Sequence, residues 1–365
     1  MGGAASHFCH YKSMKKSFKM IAAVLMALFC AILPACKKNE SGLEKFTEYS
    51  FDYFDTVTTV TGYAESREEF DGIVQGIFSE LEEYHRLFTI YMSYEGLNNL
   101  RTVNQLSGGK HDTVTVDGKI VDMLLYAKEM YELTGGKMNV AMGSVLSIWH
   151  EYRNEGIDDP DAAELPPMAR LASAAEHTDI DALVIDKENS TVTLTDPKTT
   201  LDVGAIAKGY AVEMIARGLE ERGVTGYVLN VGGNVRTIGT KPGGAGWTVG
   251  VEDPLGGDGY IAYLSLSGES LVTSGSYQRY YIVDGKRYHH IIDPDTLMPA
   301  EGFVSVSVLT KNSALGDALS TALFCMTLEE GSALVESLDG VEAEWVFPDG
   351  TRELSSGWGN YAIER

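Results

Sequence analysis

Cysteine and positive charge are both scarce in this chain. There are four cysteines in 365 residues, and 29 Lys and Arg residues face 52 Asp and Glu residues, which gives a formal net charge of −23. So few cysteines provide no disulfide framework. The acidic balance argues against nucleic acid and against a polybasic membrane contact as partners. A polyanionic ligand would therefore need a local positive charge or a metal ion.

Two common nucleotide-binding signatures are also missing. The stretch Leu201-Asp-Val-Gly-Ala-Ile-Ala-Lys-Gly-Tyr210 lacks the spacing of a Walker A loop, and no Gly-x-Gly-x-x-Gly follows a predicted strand. The glycines of the stretch at 201–210 would still let backbone N–H groups approach a phosphate at a helix N-terminus. An ordinary glycine-containing loop packed against a sheet explains this stretch equally well.

The N-terminus is typical of a bacterial export signal. Lysines at 15, 16 and 19 precede a charge-free run over 20–35, which is short for a bilayer span of about 20 residues but suits a signal peptide. The run ends in Leu-Pro-Ala-Cys36, which resembles a lipobox; an ordinary cleaved signal or an uncleaved anchor are the alternatives. We therefore predict a signal peptide at 1–35, with 1–13 upstream of the true start, and a lipidated tether at 36–47. The protein would be extracytoplasmic and lipid-anchored to the bacterial membrane through Cys36.

The length of the chain allows one large or two moderate domains. Apolar positions at helical spacing predict helices at 70–84, 117–134, 206–222, 313–326 and 328–338, and an acidic loop is expected at 157–170. Strands are predicted at 51–63, 227–231, 247–251, 260–265, 280–283, 303–309, 343–347 and 358–363. Long β stretches in mixed order favour an α+β fold with largely antiparallel sheets over a doubly wound α/β fold. Cys325 falls in an apolar helical run and is expected to be a small core residue.

Two segments carry candidate chemistry. Asp317 and Thr321 are four residues apart and share a helix face, so their oxygens could bind a hard cation such as Mg²⁺. Alternatively, Asp317 only stabilises the helix dipole and Thr321 only packs. In the extended stretch at 287–293, only one of His289 and His290 can face a given site, where it could act as a base. Tyr277, Arg279 and Tyr280 could stack on a flat ring or belong to the core.

Five motifs in this order resemble the ApbE family, the FAD:protein FMN transferases. They are listed by position: Asp-Val-Gly-Ala-Ile-Ala-Lys-Gly-Tyr-Ala at 202–211, Asn-Val-Gly-Gly-Asn at 230–234, Thr-Ser-Gly-Ser-Tyr at 273–277, His-His-Ile-Ile-Asp-Pro at 289–294 and Asp-Ala-Leu-Ser-Thr-Ala at 317–322. Asp55-Thr56, the Asn104 segment and the segment at 136–140 resemble the family's N-terminal motifs. The resemblance implies a single domain over 48–365 with an ApbE-like, T-fold-related α+β architecture of antiparallel sheets flanked by helices.

The resemblance also implies the site residues. Mg²⁺ would be held by the Ala205 carbonyl with Asp317 and Thr321, with Ser320 a further contact, and His290 and Asp317 would be catalytic. FAD, as the substrate, would contact residues from four segments: Asn139, Val140, Ala141, Asp202, Lys208, Ser274, Gly275, Tyr277 and Ile291. Two positions depart from the family pattern, since Leu297 replaces a usual Gly and Asn139 stands where many members have Asp.

The implied reaction transfers FMN from FAD to a threonine hydroxyl of an acceptor and releases AMP. The expected acceptor is a membrane flavoprotein subunit with a threonine-containing flavinylation motif. An Mg²⁺-dependent FAD pyrophosphatase and a non-catalytic flavin-binding lipoprotein are the alternative interpretations. Retention of the Asp317/Thr321 pair and of His290 argues against binding alone.

The lipobox generates the first prediction. Cys36→Ser removes the thiol that would be lipidated, so the variant should leave the membrane fraction or accumulate as an unprocessed precursor. Detergent partitioning and the mass of the N-terminal peptide measure both outcomes. Unchanged partitioning together with an unchanged N-terminal mass would contradict lipidation at Cys36.

Overall fold

The computed structural model describes residues 42–106, 113–257 and 259–364, and one compact unit extends over Lys45–Arg365. The predicted signal at 1–35 and the lipidation site Cys36 lie outside the described residues. The first strand begins at Glu44, within the range predicted as a tether. No helix of the described ranges has both the length and the apolar character needed to cross a bilayer.

Helices surround a large sheet. In the described ranges they are α1 (Arg67–Phe88), α2 (Leu100–Leu106), α3 (Gly118–Leu133), α4 (Gly143–Asp158), α5 (Met168–Ala175), α6 (Ala207–Glu221), α7 (Ser313–Phe324) and α8 (Leu328–Glu336). The predictions for α1, α3, α6, α7 and α8 are confirmed to within a few residues. The helix α4 was not predicted, and it extends into the stretch at 157–170 that the acidic composition had suggested to be a loop.

The strands fall into four sheets. They are β1 (Glu44–Ser50), β2 (Thr58–Ala64), β3 (Val114–Thr115), β4 (Leu183–Asp186), β5 (Thr191–Leu194), β6 (Tyr227–Val231), β7 (Asn234–Ile238), β8 (Trp247–Glu252), β9 (Tyr260–Leu266), β10 (Ser270–Gly275), β11 (Tyr280–Val283), β12 (Lys286–His289), β13 (Ser305–Thr310), β14 (Glu342–Val346) and β15 (Arg352–Leu354). The strand predicted at 51–63 starts only at Thr58. The one predicted at 358–363 is wrong, since Trp358–Asn360 form a 3₁₀ turn.

The main sheet has the order β1-β2-β6-β7-β10-β13-β14-β15, and its pairs from β2 to β15 are all antiparallel. A three-stranded sheet β3-β5-β4 and the hairpins β8-β9 and β11-β12 complete the domain. The α+β class with largely antiparallel sheets is therefore confirmed.

The two faces of the main sheet are covered differently. Side chains alternate along a strand, so neighbouring residues of β10 face opposite ways. Val272 lies under α7, whereas Leu271 packs with Leu309, Leu264 and Trp358 beneath the β8-β9 hairpin. The helix α7 therefore covers one face of the sheet, and the β8-β9 hairpin covers the other.

A buried ion pair fixes α6 against the sheet and against α7. Glu213 of α6 is 2% exposed and accepts hydrogen bonds from Arg236 of β7 and from the backbone N–H of Ser313, at 3.3 and 2.9 Å. Arg236 also donates to Glu220 at 3.0 Å. Charges this deeply buried are tolerated only when paired and hydrogen-bonded. The first residue of α7 is thus held at a defined position along the axis of α6.

The two helices approach so closely that one position must be glycine. A Cβ atom on Gly209 would lie 2.4 Å from the Cβ of Asp317 and 2.4 Å from the carbonyl oxygen of Ser313. The Gly209 N–H donates to Asp317 Oδ2 at 2.8 Å. Glycine therefore sets both the spacing of α6 and α7 and the orientation of the Asp317 carboxylate.

This contact predicts opposite effects for two glycines of the same helix. Gly209→Ala should lower the free energy of unfolding by roughly 1–3 kcal/mol, because the methyl group meets backbone and a buried side chain. Gly218→Ala should raise it by up to about 1 kcal/mol, since its nearest neighbour is the flexible end of Arg222 at 3.5 Å. Urea unfolding of both variants measures the difference. Equal free energies of unfolding for the two variants would show that α6 and α7 can move apart without loss of stability.

Candidate active site

A cleft of about 370 Å³ opens where the ends of α6 and α7 meet the main sheet and the turn after β12. It collects side chains that are far apart in sequence. Ten of the predicted site residues line it: Asn139, Asp202, Ala205, Lys208, Ser274, Gly275, His290, Ile291, Asp317 and Thr321. The separate motifs of the chain therefore converge on one surface.

Several other predicted residues lie just outside this lining. Val140 and Ala141 are 1% and 0% exposed and belong to the core, so only their backbone could meet a ligand. The Tyr277 ring packs against Gly275 and does not line the cleft. Ser320 is fully buried, and its hydroxyl donates to the Asp317 carbonyl at 3.1 Å. A ligand role for these residues stays a prediction.

Asp317 and Lys208 form the charged end of the cleft. Asp317 is 4% exposed, and its Oδ1 lies 3.3 Å from Lys208 Nζ while Oδ2 accepts the Gly209 N–H. Lys208 Nζ also lies 3.5 Å from the Gly204 carbonyl oxygen. The lysine is one residue before Gly209, so the close approach of the helices places a cation beside the buried carboxylate.

The oxygens around Asp317 suit a hard cation. Thr321 lies one helical turn further along α7, and its Oγ1 is 3.5 Å from Ser274 Oγ, which in turn is 2.8 Å from Ser320 Oγ. Ala205 lines the same end of the cleft. Within the described residues no group of three or more His, Cys, Asp or Glu side chains is arranged to hold a metal. One carboxylate with hydroxyl and carbonyl oxygens instead fits Mg²⁺, which takes oxygen ligands and usually keeps several waters.

The Asp202 turn is held by backbone contacts from distant segments. The Asn104 side chain bonds both the N–H and the carbonyl of Leu201, at 2.7 and 2.8 Å, and the Asp202 N–H donates to the Val140 carbonyl at 2.8 Å. Asp202 Oδ1 accepts the Gly204 N–H at 2.9 Å. The carboxylate is thereby fixed at the wall of the cleft.

The contacts of Asn139 explain its departure from the family pattern. Its Nδ2 donates to the Thr178 carbonyl at 2.9 Å, and its Oδ1 accepts the Ala141 N–H at 2.8 Å. A carboxylate could accept from Ala141 but could not donate to a carbonyl. The amide therefore holds together two segments of this chain.

The two histidines occupy different environments, as strand alternation requires. His289 is buried, and its Nε2 bonds the Ala300 carbonyl at 2.9 Å. His290 lines the cleft, and its Nδ1 lies 3.2 Å from the Arg279 carbonyl. A carbonyl only accepts, so this Nδ1 carries the proton and the Nε2 of His290 is the acceptor.

The pKa of His290 is depressed to about 3. Loss of hydration in the cleft is the largest cause, and the positive charges of Arg279 and Arg153 add to it. Near neutral pH the imidazole is therefore uncharged and able to accept a proton.

The cleft also contains a group of residues that were not predicted from the sequence. His150 and Arg153 of α4 line the cleft together with Tyr91, whose hydroxyl lies 3.3 Å from His150 Nδ1. His150 Nε2 is 4.0 Å from Asp202, and burial lowers the pKa of this histidine. The spacing of Leu146, His150 and Arg153 along one helix face could have indicated them, had α4 been predicted.

The turn at Leu297 keeps the backbone conformation expected of glycine. Leu297 has φ +60°, in the left-handed region, which costs a non-glycine residue roughly 1–2 kcal/mol. Its carbonyl accepts from Trp149 Nε1 at 2.9 Å, its N–H donates to the Asp293 carbonyl at 2.8 Å, and its side chain packs against a core cluster. The substitution therefore leaves the left-handed turn in place.

Known proteins resemble this chain over most of its length. The model of the ApbE family matches residues 54–345. A FAD:protein FMN transferase of Klebsiella pneumoniae (strain 342) is 31% identical over 288 residues, or 78% of this chain and 85% of the relative. Another, of Treponema pallidum (strain Nichols), is 35% identical over 67% of this chain and 70% of the relative.

Solved structures show the same architecture. The ApbE protein of Thermotoga maritima matches with a TM-score of 0.76 at 28% identity, over 88% of this chain and 100% of that one. A flavin transferase ApbE from Vibrio cholerae matches with a TM-score of 0.72 at 23% identity, over 87% of this chain and 99% of that one, which is a similarity of fold.

The electrostatics of the cleft generate a prediction for His290. Arg279→Gln removes one of the cations that disfavour the imidazolium, so the pKa of His290 should rise while burial keeps it below the usual value. A pH titration of the imidazole NMR signals, assigned with His290→Gln, measures the change. Arg287→Gln is the control, because Arg287 stacks over Tyr280 and does not line the cleft. If the pKa of His290 is the same in Arg279→Gln as in the wild type, the account is contradicted.

Proposed function

The chain belongs to the ApbE family, and from that premise we propose that it transfers FMN from FAD to a threonine hydroxyl of an acceptor protein. The threonine oxygen forms a bond to the FMN-side phosphorus of FAD, and the bond from that phosphorus to the bridging oxygen breaks. AMP leaves with that oxygen, and the threonine proton is taken up by a base. The product is a flavin attached through a phosphodiester.

The observation that carries this proposal is the Asp317–Lys208–Gly209 contact at the charged end of the cleft. Phosphoryl transfer depends mostly on positioning and on stabilising negative charge. In an acidic protein the pyrophosphate of FAD would be repelled by the overall field, so a local positive charge is required. Lys208 provides one such charge, and the buried Asp317 keeps it in place.

We propose that Asp317, Thr321 and the Ala205 carbonyl hold Mg²⁺ at this end. The bound ion supplies positive charge that offsets the pyrophosphate. Asp317 is already oriented for this role, because the Gly209 N–H holds one of its oxygens at 2.8 Å. The oxygen-only donor set supports Mg²⁺ over a softer metal.

His290 is the proposed base for the acceptor hydroxyl. Its Nδ1 is occupied by the Arg279 carbonyl, so Nε2 is the nitrogen that can take the proton. Its pKa of about 3 makes it a weak base in the absence of substrate. The negative charge of bound FAD would counter Arg279 and Arg153, and would raise this pKa toward the range useful for proton transfer.

The remaining cleft residues are proposed to hold FAD. Asp202, Asn139, Ser274 and Gly275 line the cleft, and Ile291, which is 4% exposed, adds an apolar side chain to the lining. The lipobox-like segment supports an enzyme anchored outside the cytoplasm, with a membrane flavoprotein subunit as its acceptor.

The function is tested by the fate of FMN. With FAD, Mg²⁺ and a candidate acceptor that bears the threonine motif, AMP release should accelerate and the acceptor should gain the mass of FMN on that threonine. His290→Ala should slow transfer by roughly 10²–10⁴ while FAD affinity is largely kept, which is the usual range for loss of acid–base help. His289→Ala should mainly lower stability, because His289 bonds the core.

Two controls separate the alternatives. An acceptor with Val in place of the threonine should return AMP release to the slow rate seen with FAD alone. Rapid formation of AMP and unattached FMN without an acceptor would favour a FAD pyrophosphatase instead. Binding of FAD with no turnover under any of these conditions would favour a flavin-binding protein.

A further inference from the structure

Two arginines of the cleft lack an acidic partner. Arg153 of α4 and Arg279, which directly precedes β11, both line the cleft. Among the residues that the structure describes, neither guanidinium forms an ion pair or a hydrogen bond with a protein group. Arg170, in contrast, pairs with Glu151 at 2.6 Å, and Arg236 pairs with Glu213.

This arrangement is costly for the protein alone. Burial lowers the pKa of Arg153, and repulsion from Arg279 lowers it further. Asp202 attracts Arg153 without reaching ion-pair distance. Acidic residues outnumber basic ones in this chain, 52 to 29, so a scarcity of carboxylates does not explain the unpaired guanidinium groups. Arg153 is half-buried and Arg279 is exposed to solvent. Two like charges that line one cleft without a carboxylate partner leave both guanidinium groups able to bind an anionic ligand.

The position of the pair selects a class of ligand. Both arginines act on His290, the proposed base, and the Arg279 carbonyl holds its ring. Lys208 also lines the cleft, where its ammonium group lies beside Asp317. Guanidinium groups match the paired oxygens of a phosphate and bind it through parallel hydrogen bonds. A phosphate group bound in the cleft would therefore have the two guanidinium groups available in addition to Lys208.

We propose that Arg153 and Arg279 form an anion subsite that binds the phosphoryl groups of the flavin nucleotide on the His290 side of the cleft. This inference rests on the proposed function, because it takes a flavin nucleotide as the substrate. It assigns the two arginines a positioning role: they hold the phosphorus near His290. Riboflavin, which has the same ring but no phosphate, would gain nothing from the pair.

The test compares ligands that differ only in phosphate. Binding of FAD, FMN and riboflavin is measured for the full chain by equilibrium dialysis, in wild type, Arg153→Gln, Arg279→Gln and Arg153→Lys. Each Gln variant should weaken FMN and FAD binding by about 10- to 100-fold, the range for losing a charged hydrogen bond, and should change riboflavin binding by less than about twofold. Arg153→Lys should recover part of the loss, since it keeps the charge but not the planar fork.

Arg170→Gln is the matched control, because Arg170 of α5 pairs with Glu151 of α4 and neither residue lines the cleft. It should leave FMN and FAD affinity unchanged. Equal weakening of riboflavin and FMN would overturn the subsite, since the arginines would then support the ring or the fold. Unchanged FMN and FAD binding in both Gln variants would overturn it as well, and a raised KM for the acceptor alone would assign the pair to an acidic acceptor surface.

The result of these binding measurements does not depend on whether the protein catalyses FMN transfer. If phosphate-dependent binding is lost in the variants but no acceptor is ever flavinylated, the subsite stands and the proposed transferase function fails. If transfer occurs but the variants bind FMN normally, the function stands and the subsite fails.

Discussion

The site depends on the close approach of α6 and α7 at Gly209. No side chain fits at that position, and the backbone N–H that is exposed there orients Asp317. The buried pair of Glu213 and Arg236 fixes the position of the first turn of α7 along the axis of α6. The stability of the helix pair and the geometry of the charged end of the cleft therefore come from the same contact. A change that separates the helices would also move Lys208 away from Asp317.

The second constraint is charge balance. A protein with a net charge of −23 needs local positive charge to bind the pyrophosphate of its proposed substrate. Two groups of cations line the cleft: Lys208 lies beside a buried carboxylate that suits a divalent cation, and Arg153 and Arg279 act on a neutral histidine. The depressed pKa of His290 reflects this uncompensated charge as well as burial. In the proposed mechanism, substrate binding and activation of the base would be coupled, because a ligand that pairs with the arginines would also raise the pKa of His290.

The sequence carried much of this information. The amphipathic spacing of α1 and the alternation along the strands predicted the α+β class, and the ordered motifs identified the ApbE family correctly. It also placed Asp317 and Thr321 on one helix face. The helix α4, with His150 and Arg153, escaped prediction because its polar residues resemble a surface loop until tertiary packing shows which side is covered. The burial of a side chain and the absence of an ion-pair partner depend on three-dimensional packing. The depressed pKa of His290 and the unpaired guanidinium groups of the two arginines therefore could not be predicted from the sequence. The bonds of Asn139 to Thr178 and Ala141 likewise became visible only with the fold.

The central claim is that the contact between α6 and α7 creates a cation site at Asp317. Mn²⁺, a paramagnetic substitute for Mg²⁺, can be titrated into the FAD-bound protein and followed by electron paramagnetic resonance. Asp317→Asn is the matched variant, because its amide oxygen can still accept the Gly209 N–H while the negative charge is lost. The account predicts one Mn²⁺ bound per wild-type chain, displaced by Mg²⁺, and an affinity at least about tenfold weaker in Asp317→Asn, as expected for removal of a charged ligand. Equal Mn²⁺ affinity in the two proteins would contradict it.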